Sequence, residues 1–455
     1  MSLVISISGI RGTIGGKSGD ALTPIEIVNF SAAYSKWLYN QYQNDSLKVV
    51  IGRDSRISGP IVSQLVANTL IACGIDVIDL ELATTPTVEM AVPHFHAHGG
   101  IIITASHNPA NWNALKLLNN KGEFISAAEG EKLLNIIHEK DFIFAKVEQL
   151  GSYSIFDFTD NHINAILDLP LVNVSAIKEK RYKVVVDTIN SVGAIAIPKL
   201  LDALGVDYIL LNGAINGDFA HNPEPLEKNL LTTINSIKKH QVDMGIVVDP
   251  DVDRLAFIDE HGVMFGEEYS LVAIADYILK HHKGATVSNL SSSRALRDVT
   301  LDYKQQYYAA AVGEVNVVNV MKQTNAIIGG EGNGGIIYPP LHYGRDALVG
   351  IALFLSHLSE QGISVSQLKK RYPYYEMVKS KIELNESVDI DSILNKIISA
   401  FNNHGVNTVD GVKIDFDEGW VHLRKSNTEP IIRIYAEARD VATAENLIRK
   451  ITDLI

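Results

Sequence analysis

Gly99-Gly100-Ile101-Ile102-Ile103 runs straight into Thr104-Ala105-Ser106-His107-Asn108-Pro109, and this pattern of an apolar strand ending in a polar loop occurs three times. Met244-Gly245-Ile246-Val247-Val248 leads into Asp249-Pro250-Asp251-Val252-Asp253-Arg254, and Ala326-Ile327-Ile328-Gly329 leads into Gly330-Glu331-Gly332-Asn333-Gly334-Gly335. In open α/β sheets, ligands bind beyond the carboxyl ends of the strands, so three such loops can line one cleft if three domains face each other. A hydroxyl nucleophile, a carboxylate metal cage and a sugar-binding loop are the parts of a phosphoryl-transfer site.

Outward from these loops the chain reads as one βα unit used three times. Lys48–Gly52, Lys183–Asp187 and Ala285–Asn289 are first-strand signals, and Ile75–Leu80, Val206–Leu211 and Tyr307–Val312 are second strands after a helix. The loop-bearing run is the third strand of each unit. Such alternation predicts three similar α/β domains with mixed or mainly parallel sheets and helices on both faces. Leu3–Ile7 adds a leading strand, followed by a helix that Thr23 caps with Pro24 at its first position. From Tyr372 the pattern becomes strand, helix, three strands at Gly411–Phe416, Trp420–Arg424 and Ile431–Tyr435, and a closing helix: a smaller α+β domain with an antiparallel sheet. The expected domains are 1–155, 156–257, 258–370 and 371–455.

A chain of 455 residues is too long for one ordinary core. Its 46% hydrophobic and 20% charged content is that of a soluble globular protein. No apolar stretch approaches the ~20 residues that span a bilayer, and the N-terminal residues have no signal-peptide pattern, so no membrane association and a cytoplasmic location are expected. A net charge of −13 argues against nucleic acid as a partner. Cys73, the only cysteine, excludes an intrachain disulfide and reads as a small core residue.

Three carboxylates as close as Asp249, Asp251 and Asp253 repel one another unless a cation or hydrogen-bond donors offset them, and Mg²⁺ suits carboxylate and phosphate oxygens. An EF-hand would use Glu260 at position twelve, but Arg254 stands where its glycine belongs and Phe257 occupies position nine. An aspartyl-phosphatase nucleophile remains a rival. Ser106 lies outside any G-x-S-x-G elbow, and adjacency alone places His107 poorly as its base. Arg424-Lys425-Ser426-Asn427-Thr428-Glu429-Pro430, with Arg433 beyond, joins two guanidinium groups to hydroxyls and amides as a phosphate monoester requires. Gly9-Ile10-Arg11-Gly12 and Gly52-Arg53-Asp54-Ser55-Arg56-Ile57-Ser58 are expected to add positive field to the cleft. Gly16-Lys17-Ser18 fails the P-loop spacing. His94, His96 and His98 alternate, which reads as surface histidines near a strand edge.

Together these four motifs resemble the α-D-phosphohexomutase superfamily over the whole chain. The resemblance implies that Ser106 is a phosphoserine and that Asp249, Asp251 and Asp253 hold Mg²⁺, with a Ser106 phosphoryl oxygen completing the site. It implies that Glu331 and Asn333 bind sugar hydroxyls and that Arg424, Ser426, Asn427, Thr428 and Arg433 grip the non-reacting phosphate. Arg11 and Lys116 become candidates for proton transfer, with Arg254 and His107 nearby. The departures are Pro250 for the glycine of the D-G-D-x-D-R loop, Asn333 and Gly335 for Ser and His, and Ala114 for Gly before Lys116. The loops look most like those of phosphoglucosamine mutases and the related phosphomannomutase and phosphoglucomutase group. The implied reaction takes glucosamine 6-phosphate to glucosamine 1-phosphate through a 1,6-bisphosphate. Hexose phosphate and hexose 1,6-bisphosphate are then the partners, and a homodimer is compatible with this. A sugar-phosphate phosphatase and a non-catalytic sensor are the rival classes.

Overall fold

The computed structural model describes residues 2–6, 9–42, 46–383, 390–425 and 431–454. It has four domains, three of them similar α/β domains and the fourth a smaller C-terminal one. The chain packs as two compact units, one of residues 1–270 with 334–366 and one of 271–333 with 367–455.

In the first unit a seven-stranded sheet runs in the order Leu3–Ser6, Gly9–Thr13, Trp112–Leu118, Gly99–Ile103, Leu47–Arg53, Ile75–Leu82, Tyr153–Ile155. The last four strands are mutually parallel, whereas Trp112–Leu118 returns antiparallel beside Gly99–Ile103. Every residue of Gly99-Gly100-Ile101-Ile102-Ile103 is buried, as expected of a strand covered on both faces. Glycine is required at 99, because a Cβ there would collide with the buried Tyr34 hydroxyl. That hydroxyl donates to Leu118 O at 2.5 Å and ties the helix Pro24–Tyr42 to the sheet.

The second sheet repeats the device. Asp207–Leu211, Lys183–Asp187 and Met244–Val248 are parallel, and Leu255–Ile258 returns antiparallel to Met244–Val248. Residues 104–111 and 249–254 are therefore both tips between a parallel strand and its antiparallel return. The sequence reading placed the outgoing strands and missed the returns. It also took Gly9–Gly12 for a loop, where the structure has the strand Gly9–Thr13.

At the end of Lys183–Asp187, the buried Asp187 accepts hydrogen bonds from Asn212 Nδ2 at 2.9 Å and from Thr233 Oγ1, and meets His221 Nε2 at 3.2 Å. Burial pushes the His221 imidazole down, but the Asp187 contact outweighs it and the net direction is up. A pKa raised in the folded state gives stability that is present below the unfolded value of about 6.5 and is lost as pH rises through the folded value. Thermal unfolding from roughly pH 6 to 8.5 should therefore show a loss of Tm in the wild type that His221→Gln lacks.

In the second unit, Tyr307–Ala310, Thr286–Asn289 and Ile328–Glu331 are parallel. The C-terminal sheet is five-stranded and antiparallel, in the order Glu376–Glu383, Ile431–Ala438, Gly419–Lys425, Val412–Asp415, Gly405–Asn407. Its core joins Val421, Leu423, Ile432 and Ile434 to Ile397, Leu447 and Ile451 of two helices.

Cys73 is buried and unpaired. The three histidines do not share a strand edge: His94 ends the helix Thr85–His94, His96 takes a left-handed turn at φ 50°, and His98 accepts from Lys48 N at 3.1 Å. The end of the helix at His94 and the turn at His96 set their spacing. No helix among the described residues is long and apolar enough to cross a membrane.

Candidate active site

Ser106 follows directly on the strand Gly99–Ile103 and has φ 47°, a left-handed conformation uncommon for a residue with a Cβ. Its N–H donates to Thr104 Oγ1 at 3.0 Å, and Thr104 Oγ1 donates to Asp54 Oδ2 at 2.6 Å. Arg56 does the rest. Its Nε meets Asp54 Oδ2 at 3.0 Å, one terminal nitrogen donates to Pro109 O at 2.6 Å and Trp112 O at 2.9 Å, and the other to Ser106 O at 2.5 Å and Asn108 O at 2.7 Å. Arg56, Asp54 and Thr104 are all 0% exposed. Arg56 was expected to lend field to a cleft; its charge is instead enclosed with Asp54, and its fork holds the serine loop in shape.

The aspartate loop is fixed from three sides. Ser191 Oγ donates to Pro250 O at 2.6 Å, Thr85 N to Asp251 O at 2.9 Å and Ala347 N to Val252 O at 3.2 Å. These bonds hold Val252 at φ 63°, which is strained for a β-branched residue and persists only where the surroundings over-determine it. The consequence is convergence: Asp249, Asp251 and Asp253 are each 0% exposed, with carboxylate oxygens within 4.8 Å of one another.

Ser106 Oγ donates to Asp249 Oδ2 at 2.6 Å, so the serine and aspartate loops meet. Asp251 Oδ2 accepts from Thr85 Oγ1 and Lys116 Nζ, each at 2.7 Å, and Asp253 Oδ2 accepts from Arg345 at 2.6 Å. Burial and repulsion from Asp251 and Asp253 push the Asp249 carboxyl well up. Burial also opposes ionisation of Asp251, but the Lys116 ammonium outweighs it and holds that carboxyl below the usual range. Lys116 in turn is disfavoured by burial and raised by Asp251 and Asp253, so it stays charged. Asp251 Oδ1 and Asp253 Oδ1 are buried with no hydrogen-bond partner among the described residues. Orphaned carboxylate oxygens in a convergent, all-oxygen set fit a hard divalent cation.

The remaining expected residues fall as follows. His107 Nδ1 lies 3.5 Å from Ser106 Oγ, and burial with the Arg254 and Arg345 charges pushes its pKa down to about 3, leaving it neutral. Arg254 donates its backbone N–H to Asp249 Oδ1 at 3.1 Å, and its Nε lies 3.9 Å from Asp253 Oδ1. Gly9 pairs with Lys116, so Arg11, two residues on, occupies the same sheet face as the lysine. Glu260 takes no part in the triad, because Ser364 and Ser366 hold its carboxylate. Arg345 and Thr85 were missed by the sequence reading.

In the second unit, the buried Glu331 accepts from Asn289 Nδ2 at 2.9 Å and Gly313 N at 3.0 Å. Asn333 lies two residues beyond, after Gly332, whose N–H donates to Ser292 Oγ at 2.9 Å. Arg424 and Arg433 sit directly opposite on neighbouring strands. Opposed like charges destabilise a ladder and invite an anion; Asp410, 3.6 Å from Arg424 Nε, supplies part of that compensation. Ser426, Asn427 and Thr428 lie outside the described residues.

Comparison with known proteins agrees with this architecture. Residues 4–144, 160–262 and 266–375 match alpha/beta/alpha domains I, II and III of phosphoglucomutase/phosphomannomutase, and 381–454 match its C-terminal domain. The chain belongs to this family, within the α-D-phosphohexomutase superfamily, and is a mutase that transfers phosphoryl groups intramolecularly. It is 34% identical over 443 residues to a phosphoglucomutase/phosphomannomutase of Thermococcus kodakarensis, covering 96% of each chain. It is 32% identical to a phosphoglucosamine/phosphogalactosamine mutase of Sulfurisphaera tokodaii, covering 100% of this chain and 99% of the other. A crystal structure of a phosphoglucomutase/phosphomannomutase family protein from Burkholderia thailandensis shares the fold with TM-score 0.84 at 24% identity, over 98% of this chain and 97% of that one.

Proposed function

We infer that the protein interconverts glucosamine 6-phosphate and glucosamine 1-phosphate, with Ser106 carrying the phosphoryl group and a 1,6-bisphosphate as intermediate. The observation that carries this reading is Ser106 Oγ in hydrogen-bond contact with a buried carboxylate triad. Lys116, Arg345 and Arg254 together offset the three carboxylates, so a phosphoserine dianion added there calls for two further positive charges. Asp249, Asp251 and Asp253 would hold Mg²⁺ together with a phosphoserine oxygen, and the ion would neutralise the transferring oxygens.

The chain's own groups then have distinct tasks. Arg56 fixes the direction in which Ser106 presents its oxygen, and Lys116 and Arg11, with Arg254, stabilise charge beside it as cations. His107 lies beside the serine as a weakly basic, neutral imidazole. Glu331 and Asn333 bind sugar hydroxyls, while Arg424, Ser426, Asn427, Thr428 and Arg433 hold the non-reacting phosphate. Because the bisphosphate must present each end to Ser106 in turn, that grip has to accept either phosphate. Domain limits near 155, 257 and 370, a cytoplasmic location and a homodimer complete the proposal.

The Sulfurisphaera relative's name supports the amino sugar. The Thermococcus relative, slightly more similar, favours a second reading in which glucose and mannose phosphates are the substrates of the same mechanism. The test is turnover of glucosamine 6-phosphate, glucose 1-phosphate and mannose 1-phosphate in parallel, with Mg²⁺ and a catalytic amount of hexose 1,6-bisphosphate. The highest kcat/KM is expected on the amino sugar; preference for glucose or mannose phosphate would overturn that substrate, and release of inorganic phosphate without isomerisation would overturn the mutase mechanism.

A further inference from the structure

We propose that His162, His342 and Asp346 form a structural site for one transition-metal dication of the zinc class, separate from the aspartate triad. Both imidazoles turn Nε2 toward the same oxygen: Asp346 Oδ2 lies 2.9 Å from His162 and 3.3 Å from His342. The three donor atoms fall within 4.8 Å of one another. Ligands about 2.0–2.1 Å from a tetrahedral zinc ion stand roughly 3.3 Å apart, so the set needs little movement to close on one. Asp346 Oδ1 is committed to capping the helix Ala347–Gln361 through Leu348 N at 2.8 Å and Val349 N at 3.2 Å, which leaves Oδ2 to the ion.

The opposite ring edges support the same conclusion. Thr87 Oγ1 is 2.9 Å from His162 Nδ1, and Glu89 Oε2 is 3.5 Å from His342 Nδ1. Metal-ligating histidines hand their second N–H to such an acceptor, which fixes the tautomer and the ring. With both Nε2 atoms on a metal, both Nδ1 atoms carry protons and both acceptors are used. The Asp346 and Glu89 side chains are only 0% and 1% exposed, and carboxylates so enclosed need compensating positive charge; a dication offsets both. His342, 13% exposed, forms the rim through which the ion and a fourth ligand, water, can enter.

A mixed nitrogen and oxygen set selects zinc-like ions, whereas the all-oxygen triad selects Mg²⁺, so the two sites can be loaded independently. His162 lies on the helix Thr159–Leu167, Asp346 caps Ala347–Gln361 and His342 stands in the loop just before it, with Glu89 reaching in from Thr85–His94. One ion there would clamp three segments distant in sequence.

The test is titration of the full-length, Mg²⁺-saturated protein with Co²⁺, read by the visible absorption of tetrahedral cobalt. One equivalent is expected in the wild type and in Asp251→Asn, and none in His342→Gln. Glu89→Gln should retain the band with affinity weakened about 10- to 100-fold. Absence of the band from the wild type, its loss in Asp251→Asn, or its survival unchanged in His342→Gln would overturn the site.

Discussion

Ser106→Ala should lose mutase activity by about 10⁴-fold or more, the scale seen when a covalent nucleophile is removed. It should also yield no phosphoprotein. The fold has no stake in the lost oxygen: the loop is held by Arg56, Asp54 and Thr104, and the serine side chain adds the contact to Asp249 and the long one to His107. Tm should therefore stay within a few degrees of the wild type, which separates chemical loss from misfolding. Full activity in this variant would exclude double displacement through Ser106.

Arg56→Met should cost about 3–5 kcal/mol of stability, because removing one partner of a buried pair leaves the other charge uncompensated. Asp54 would stay fully buried, and four carbonyls between Ser106 and Trp112 would lose their donor. Adding Asp54→Asn removes the stranded charge and should restore part of the stability. It should not restore activity, since the loop carbonyls still lack the guanidinium and Ser106 is no longer held at its left-handed φ. Thermal unfolding beside kcat for the single and double variants measures both effects; equal recovery of stability and kcat would show that Arg56 acts only through Asp54.

Local signals were legible in the sequence. Isoleucine and valine runs marked the parallel strands, the D-x-D-x-D spacing marked the triad, and Ser106 stood out after a buried strand. Pairings over long sequence separations were not. Arg345 reaches Asp253 across 92 residues, Thr85 reaches Asp251 across 166, and Arg56 reaches Ser106 across 50. Trp112–Leu118 carries Asn113 and Lys116 inside a sheet, so its strand pattern is weak. The left-handed backbone at Val252 runs against the preference of a β-branched residue and is imposed by Ser191, Thr85 and Ala347, which no local reading contains. Arg56 stands just beyond a strand in the sequence, but only its fourfold carbonyl contact separates a loop clamp from a cleft charge.

The central claim is that Ser106 carries the phosphoryl group between the two ends of a hexose. It is tested most directly by incubating the Mg²⁺-loaded protein with phosphoryl-labelled hexose 1,6-bisphosphate, mapping the label by mass spectrometry and chasing with unlabelled hexose monophosphate. The account predicts label on Ser106 that the chase removes into sugar phosphate at the turnover rate. Label on Asp249, or label on Ser106 that leaves only as inorganic phosphate, would contradict it.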